Sequence, residues 1–444
     1  MGKKFNTSTP SGFPEFSPAE ERVRQQWIGV IAETFSSYGF APITTPLVER
    51  EENLLGKGGN PKEIYALKRV MDGDGDSSHS GNTLRFDHTV PLALYVARHQ
   101  NELTFPFKRY AIGPVFRGER AQKGRFRQFD QCDIDIIGME NLSVANDGLM
   151  PAIIIEIFKK LLPNNEFVVR INNRKILLGF FADLGVSADE AKKVLDIVDD
   201  LEKLPKEKIV EQLLEVGIDG ENIDKLFDFI NIKGSNDEVV TKLKEIGGCE
   251  SFCEGVAELE EVVSTLNNMS VNENNFVIDL RIARGLDYYT GTVYETTLIG
   301  HEGLGSICSG GRYEDLASVF TNKKMPGVGI SIGLTRLLSQ LLELDILDDA
   351  MVSHLDILFV PADENQAGKC LELASKLRKA GHKTDVYLEK KKLKKKLDYA
   401  DKIKVQYVCI IGENELADRV VQIKNMKTGE KENVKDSDVL AFFE

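Results

Sequence analysis

The chain is 444 residues long, with 56 Lys plus Arg against 70 Asp plus Glu, a formal net charge of −14, 42% hydrophobic and 28% charged residues. That length predicts two or three domains, each able to bury a core, and the composition is that of a globular protein. A membrane span, export and a disulfide scaffold are not expected: no run of about 18 apolar residues occurs, Met1-Gly2-Lys3-Lys4 lacks an apolar signal core, and the cysteines are few and scattered, as in a cytoplasmic protein.

The acidity does not exclude RNA. Residues 186–265 hold 21 acids against 9 lysines and no arginine, which leaves the rest of the chain nearly neutral and free to carry a basic face.

Ser17-Pro18-Ala19-Glu20 reads as a capping box with proline in the first helical turn, opening a helix with Val23, Trp27, Val30, Ile31 and Phe35 on its apolar side and Gly39 at its end. Phe40 to Val48 is extended, and Pro42 and Pro46 assign it to a sheet edge or a subunit interface. Gly56-Lys57-Gly58-Gly59 lacks the Lys-Ser/Thr ending of a phosphate loop and reads as a turn, and residues 72–82 lack the closing Glu of a calcium loop and read as a hairpin tip. Leu84 to Tyr95 passes from strand into helix. If Asp87 and Thr89 lie on an extended segment they share a side, so a carboxylate and a hydroxyl can converge on an ammonium group; a helix N-cap is the alternative for Thr89.

Lys108 to Arg120 and Arg125 to Ile136 predict two strands joined by a Gly-containing loop, crowded by seven basic residues from Lys108 to Arg127. The second strand alternates Gln131, Asp133 and Asp135 with Cys132, Ile134 and Ile136, giving one polar and one apolar face. A solvated hairpin accounts for the alternation without needing Arg, Phe, Gln and Asp in so specific an arrangement. From Pro151 a helix carries Ile153, Ile154, Ile157, Phe158 and Leu161, Glu166 to Ile171 reads as a strand, and the acidic stretch that follows has the helical spacings of Val256, Leu259, Val263 and Leu266. Cys249 and Cys253 have no second pair or nearby histidine, which favours small buried hydrophobes over zinc ligands.

The period from Thr290 to Thr297 is that of a strand, entered by Arg284, Asp287, Tyr288 and Tyr289. An arginine beside an aspartate and two phenols is either a buried ion pair, the commoner meaning, or a pocket for a small anionic ligand. Gly310 and Gly311 either form a tight turn or let backbone approach a ligand. Pro326 to Leu338 reads as a strand turning into a helix with Arg336 in its first turn, where a bound anion would relieve a cation opposed to the helix dipole. Beyond a polar linker at 345–353, strand, helix 363–380, strand 383–387, helix 393–403 and strand 406–411 alternate as an α/β unit. Lys390, Lys391, Lys392, Lys394, Lys395 and Lys396 concentrate charge at one helix entrance, as a solvated face or as phosphate contacts.

Arg284-Gly-Leu-Asp-Tyr-Tyr289 followed by Gly310-Gly-Arg-Tyr313 resembles the two signature peptides of histidyl-tRNA synthetases, a class II aminoacyl-tRNA synthetase family, and the likeness runs from about Ser11 to the end. It implies an α+β fold, with the class II antiparallel sheet flanked by helices, a helical insertion and a C-terminal α/β domain. The implied division is 1–172 and 271–345 for the catalytic core, 173–270 for the insertion and 355–444 for an anticodon-binding domain. The first helix with the segment ending at Pro46 resembles motif 1 and implies a homodimer. The Lys108–Ile136 hairpin resembles motif 2, which implies Arg117 on the α-phosphate of ATP, Phe129 stacked on adenine, Glu119 at the adenine edge, and Gln122 on a loop reaching the tRNA acceptor end. Arg336 resembles the motif 3 arginine that contacts ATP, with Thr335 where an acidic residue often stands. For L-histidine, the resemblance implies Asp87, Thr89 and Gln131 at the ammonium and carboxylate end, Asp135 and Tyr289 with neighbouring Tyr288 at the imidazole, and Arg284 facing the α-phosphate opposite Arg117. Lys390 and Lys394 are the implied tRNA contacts of the last domain.

The activity so implied is ATP-dependent ligation of L-histidine to histidine tRNA through a histidyl-adenylate, releasing AMP and diphosphate, with Mg2+ accompanying ATP rather than held at a dedicated protein site and with no membrane partner. A silent synthetase-like regulator that senses histidine or uncharged tRNA, and a small-molecule ligase without RNA, are the competing classes. Retention of Arg117, Arg284 and Arg336 counts against the first, and residues 355–444 count against the second.

Overall fold

A computed structural model describes residues 6–55, 61–68, 81–121, 124–201, 204–282, 289–315, 317, 320–347 and 353–444. Gln122, Arg284, Tyr288, the turn at 56–59 and nearly all of the expected tip at 72–82 lie outside these residues. The chain divides into two compact units, one of Trp27–Leu341 with the N-terminal residues up to Pro14, the other of Leu342–Glu444 with Glu15–Gln26.

The order is α1 (Pro18–Ser37), β1 (Ala41–Pro42), β2 (Val48–Arg50), α2 (Glu51–Leu55), β3 (Asn82–Leu84), α3 (Thr89–His99), β4 (Phe107–Phe116), β5 (Gln128–Ile137), α4 (Ala145–Leu161) and β6 (Phe167–Asn173). Helices α5 (Arg174–Asp183), α6 (Ala188–Asp199), α7 (Lys206–Glu215), α8 (Gly220–Ile230), α9 (Asn236–Ile246) and α10 (Glu250–Asn268) follow, then β7 (Phe276–Ile278), β8 (Thr292–Leu298), β9 (Cys308–Tyr313), β10 (Gly327–Gly333) and α11 (Leu334–Glu343). The second unit adds β11 (Ile357–Pro361), α12 (Ala367–Lys379), β12 (Thr384–Val386), α13 (Leu393–Lys402), β13 (Tyr407–Ile411), α14 (Glu413–Asp418), β14 (Val420–Asn425), β15 (Lys431–Lys435) and α15 (Val439–Phe443).

The large sheet of the first unit is eight-stranded in the order β1-β4-β5-β10-β9-β8-β6-β7, antiparallel except at its two ends, where β1 pairs with β4 and β7 with β6 in parallel. One side of β5 is apolar as its alternation requires: Cys132, Ile134 and Ile136 are fully buried, as are Ile153, Ile154 and Ile157 of α4 and Leu337, Leu338 and Leu341 of α11. On the same sheet, α3 packs Leu92, Ala93 and Val96 against Ile137 and Tyr313. The helices α5–α10 leave from β6 and return to its neighbour β7, so the insertion is rooted in two adjacent strands at one edge. Its polar turns fall between α7 and α8 and between α8 and α9, and Ser187 and Ser235 each close a capping box with the glutamate three residues on.

Three expectations need correction. Cys249 and Cys253, read as small buried hydrophobes, are half-buried and exposed, respectively, at the start of α10. The extended segment 40–48 is not one strand: Ala41–Pro42 pairs with β4, while Val48–Arg50 pairs with β3 in a separate two-stranded sheet, because prolines at 42 and 46 cannot donate to a continuous ladder. The helix expected from Pro151 begins at Ala145 and holds Pro151 in its interior. Proline cannot donate to the carbonyl four residues back, which belongs to Asp147, and that carbonyl instead accepts the hydroxyl of Tyr294 from β8 at 2.8 Å.

In the second unit the sheet order is β12-β11-β13-β14-β15, with the first three strands parallel and the last two antiparallel. Alternation along β11 and β13 covers both faces: Ile357, Phe359, Cys409 and Ile411 pack with Cys370, Leu373 and Leu377 of α12, and Leu358, Val360, Val408 and Ile410 with Ala400 of α13. The first turns of α1 belong to this unit, where Arg22 donates to the carbonyl of Ser353 at 3.0 Å.

Candidate active site

Directly opposed residues of an antiparallel ladder share a face, so the register sets the polar side of the large sheet row by row. One row runs Ala111, Asp133, Ser331, Ser309 and Glu295 across β4, β5, β10, β9 and β8. On one side of it lie Gly113, Gln131 and Gly333, and on the other Arg109, Asp135, Gly329, Gly311 and Val293. A further row holds Gly327 beside Tyr313.

A cavity of about 450 Å³ opens on this face. It brings together Asp87, Thr89, Arg117, Glu119, Phe129, Gln131, Tyr289 and Arg336, all named from the sequence, with Asp133, Glu295, Cys308, Ser309 and Ser331. Its floor is low because the central positions are glycine or serine. A Cβ on Gly311 would lie 2.9 Å from the Tyr289 ring, and Cβ atoms on Gly327 and Gly329 would enter the Tyr313 ring and the Asp135 carboxylate. These glycines therefore serve close packing of neighbouring side chains as well as ligand approach.

Asp87 is buried, and its Oδ1 accepts the N–H groups of Thr89 and Val90 at 3.1 and 3.0 Å. The carboxylate of Asp87, not the hydroxyl of Thr89, thus accepts from the first turn of α3. Burial raises its pKa, against the pull of nearby Arg117. His88 is held neutral, its pKa depressed to about 3 by burial and by Arg85 and Arg109, with Nε2 3.2 Å from the Gly113 carbonyl. Asp133 is also raised by burial. It accepts from the Ser331 hydroxyl at 2.5 Å, and Ser331 in turn accepts from Gln131 Nε2 at 3.2 Å, so a continuous polar strip crosses the floor.

Arg117, at the end of β4, lies between two rings, its guanidinium carbon 4.4 Å from the Phe86 centroid and 5.2 Å from that of Phe129. Arg336, in the first turn of α11, donates to the Leu304 carbonyl at 2.7 Å. Thr335 beside it accepts the N–H of Asp130 at 2.8 Å and so ties α11 to β5. Glu119 faces Arg125 at 3.4 Å.

Asp135, expected at the imidazole, does not line the cavity as Asp133 does. Its carboxylate lies over Gly329, paired with Arg109 at 2.5 Å and accepting from the Tyr313 hydroxyl at 3.0 Å. Burial pushes its pKa up to about 7 even beside the guanidinium. Arg312 of the Gly-Gly-Arg-Tyr peptide is also buried, held by Asp147 at 2.7 Å, with Thr292 donating to the same carboxylate at 2.7 Å. Sequence reasoning missed Asp147, whose only signal was a lone acid in the first turn of an apolar helix. In the second unit Lys394 is exposed, and Lys390 pairs with Glu364 at 2.8 Å. Lys396 departs from the expected basic cluster: it is buried and donates to the Pro361 carbonyl at 2.8 Å.

An antiparallel sheet that presents one arginine from a β-hairpin and a second from a strand-to-helix turn, above a floor of small residues, defines the catalytic domain of a class II aminoacyl-tRNA synthetase. A sequence profile of the histidyl-tRNA synthetase family matches residues 12–337, and one of an anticodon-binding domain matches residues 356–444. The histidine–tRNA ligase of Nostoc punctiforme is 47% identical over 98% of this chain and 96% of its own. The crystal structure of histidyl-tRNA synthetase from Nostoc sp. PCC 7120 superposes with a TM-score of 0.89 at 45% identity, covering 99% of each chain. A Bacillus halodurans structure titled as an ATP phosphoribosyltransferase regulatory subunit/histidyl-tRNA synthetase shares the fold, with a TM-score of 0.74 at 19% identity over 92% of this chain and 99% of its own. This chain belongs to the histidyl-tRNA synthetase family.

Proposed function

We propose that the chain activates L-histidine with ATP and transfers it to the 3′ end of histidine tRNA. The observation that carries this reading is that Arg117 and Arg336 share one cavity with Asp87, Thr89 and Gln131, so phosphate-binding and amino-acid-binding groups meet over one floor. In the first step a carboxylate oxygen of histidine forms a bond to the α-phosphorus as the bond to the bridging oxygen breaks and diphosphate leaves. A carboxylate is already a nucleophile, so the protein's task is to align two anions and stabilise charge. Arg117 and Arg284 flank the α-phosphate and Arg336 holds the outer phosphates. Phe129 backs the adenine and Glu119 sits at its edge. Asp87, Thr89 and Gln131 receive the ammonium and carboxylate end, and the imidazole settles over the Gly311 and Gly329 floor toward Tyr288, Tyr289 and Asp135. In the second step a ribose hydroxyl of the terminal nucleotide attacks the acyl carbon and AMP leaves.

Mg2+ accompanies ATP, neutralising its phosphates. Gln122 contacts the tRNA acceptor end, and Lys390 and Lys394 contact its phosphates in the anticodon-binding domain, 355–444. Residues 1–172 and 271–345 form the catalytic core around an insertion at 173–270. The enzyme works as a cytoplasmic homodimer, joined through the segment at Pro46 where Leu47 and Val48 stand exposed. No helix among the described residues is long and apolar enough to cross a membrane. The test is charging of histidine tRNA by the parent and by Arg284→Ala. Charging by the parent and its loss in a folded, dimeric variant support the reading, and parental activity in the variant removes Arg284 from it.

A further inference from the structure

Arg109 has no exposed surface and is among the largest fully buried side chains of the described residues, although it belongs to the hairpin whose basic residues otherwise suit solvent or phosphate. An arginine does not enter a core without an anion to meet it. That anion is Asp135, directly opposite on β5, and the Tyr313 hydroxyl from β9 completes the group. The charged and titratable groups facing Asp135 are Arg109 from β4, Asp133 on its own strand, Tyr313 from β9 and Asp87 before α3, with Tyr289 near Tyr313. Four of these are acids or phenols, so among the described residues Arg109 is the one cation of the set. The carboxylate it holds lies over Gly329, whose ladder partner Gly311 carries the Tyr289 ring, at the bare part of the floor.

We propose that Arg109 is a positioning residue for amino-acid selection: it fixes the Asp135 carboxylate over the Gly329 floor and favours its ionised form, so that a ring N–H of the bound amino acid finds an acceptor there. The inference rests on the functional reading above and deepens it. Without Arg109 the neighbouring acids favour the protonated carboxyl, which presents a donor where an acceptor is needed. The partners of the pair, Tyr313 and the neighbouring acids, belong to the amino-acid end, so the role is expected to act on histidine rather than on ATP.

The experiment measures KM for histidine and for ATP, by diphosphate exchange between pH 6 and 9, in the parent, Arg109→Met, Arg109→Lys, Asp135→Asn and the Arg109→Met/Asp135→Asn double variant. Arg109→Met is expected to raise KM for histidine about tenfold with KM for ATP within about twofold. The pH limb on which histidine binding improves moves upward by about one unit in Arg109→Met and returns toward the parent in Arg109→Lys. Titration of free histidine is common to all variants and cancels in the comparison. Should Arg109→Met fail to fold, the double variant removes both charges and avoids an unpaired buried carboxylate; it is expected to match Asp135→Asn, because Arg109 acts through Asp135. An unmoved pH limb with both KM values raised together, or full additivity of the two substitutions, overturns the proposal. A parent that binds no histidine overturns the functional reading as well.

Discussion

Replacing Tyr294 by Phe removes one oxygen whose partner, the carbonyl of Asp147, lies inside a helix where Pro151 offers no N–H. Tyr294 and Asp147 are 1% and 0% exposed, so water cannot substitute. Leaving a buried carbonyl unsatisfied costs about 1–3 kcal/mol. A shift of about 2–4 °C for each kcal/mol is typical of units of 150–250 residues, and the larger first unit moves by the lower figure or less. The informative assay is a double-mutant cycle read by thermal unfolding of that unit. Pro151→Ala restores an N–H to the Asp147 carbonyl, so Tyr294→Phe is expected to cost roughly 1 kcal/mol less in that background. Equal costs in both backgrounds would refute the idea that the tyrosine stands in for the missing helix bond.

Arg117→Ala and Arg336→Ala each remove a cation from the cavity and are expected to lower the rate of diphosphate exchange by about 100-fold or more, with thermal stability near that of the parent; a loss confined to stability would place them in the framework instead. The two lysines separate function from folding: Lys396→Met should destabilise the C-terminal unit by about 1–3 kcal/mol by freeing the Pro361 carbonyl, whereas Lys394→Ala leaves unfolding unchanged within about 0.5 kcal/mol and raises KM for tRNA. Asp135 gives a pH test on stability. Its folded pKa, about 7, stands above the ordinary 3.8, so the native state keeps the proton in that window and the stability Asp135 contributes is present below it and lost as pH rises through it. The slope of melting temperature against pH between about 4 and 7 should therefore flatten in Asp135→Asn, and an unchanged slope would show that other groups carry it.

The legible parts of the fold were those written in local pattern. The Ser17 capping box, the alternation of β5 and the β-α-β spacing after Ile357 each rest on neighbours in sequence, and each stands where expected. The bonds of Pro151 were not legible, because the helix around it is completed by a hydroxyl from β8, more than a hundred residues away. Lys396 misled for a related reason: a run of lysines predicts solvent, yet its place on α13 points one of them at a strand-end carbonyl. In the site, residue types along β5 were readable, but which acid would face the cavity was not. Asp133 and Asp135 share a face, and only Arg109, Gly329 and Tyr313, brought in by the register of three other strands, draw Asp135 out of the lining. β14 and β15, antiparallel additions to a parallel set, carried no signal strong enough to extend the α/β pattern.

The central claim is tested most directly by ATP–diphosphate exchange with each amino acid in turn, without tRNA. Exchange is expected with histidine alone. No exchange with any amino acid in folded protein that still binds histidine, or exchange with a different amino acid, would contradict it.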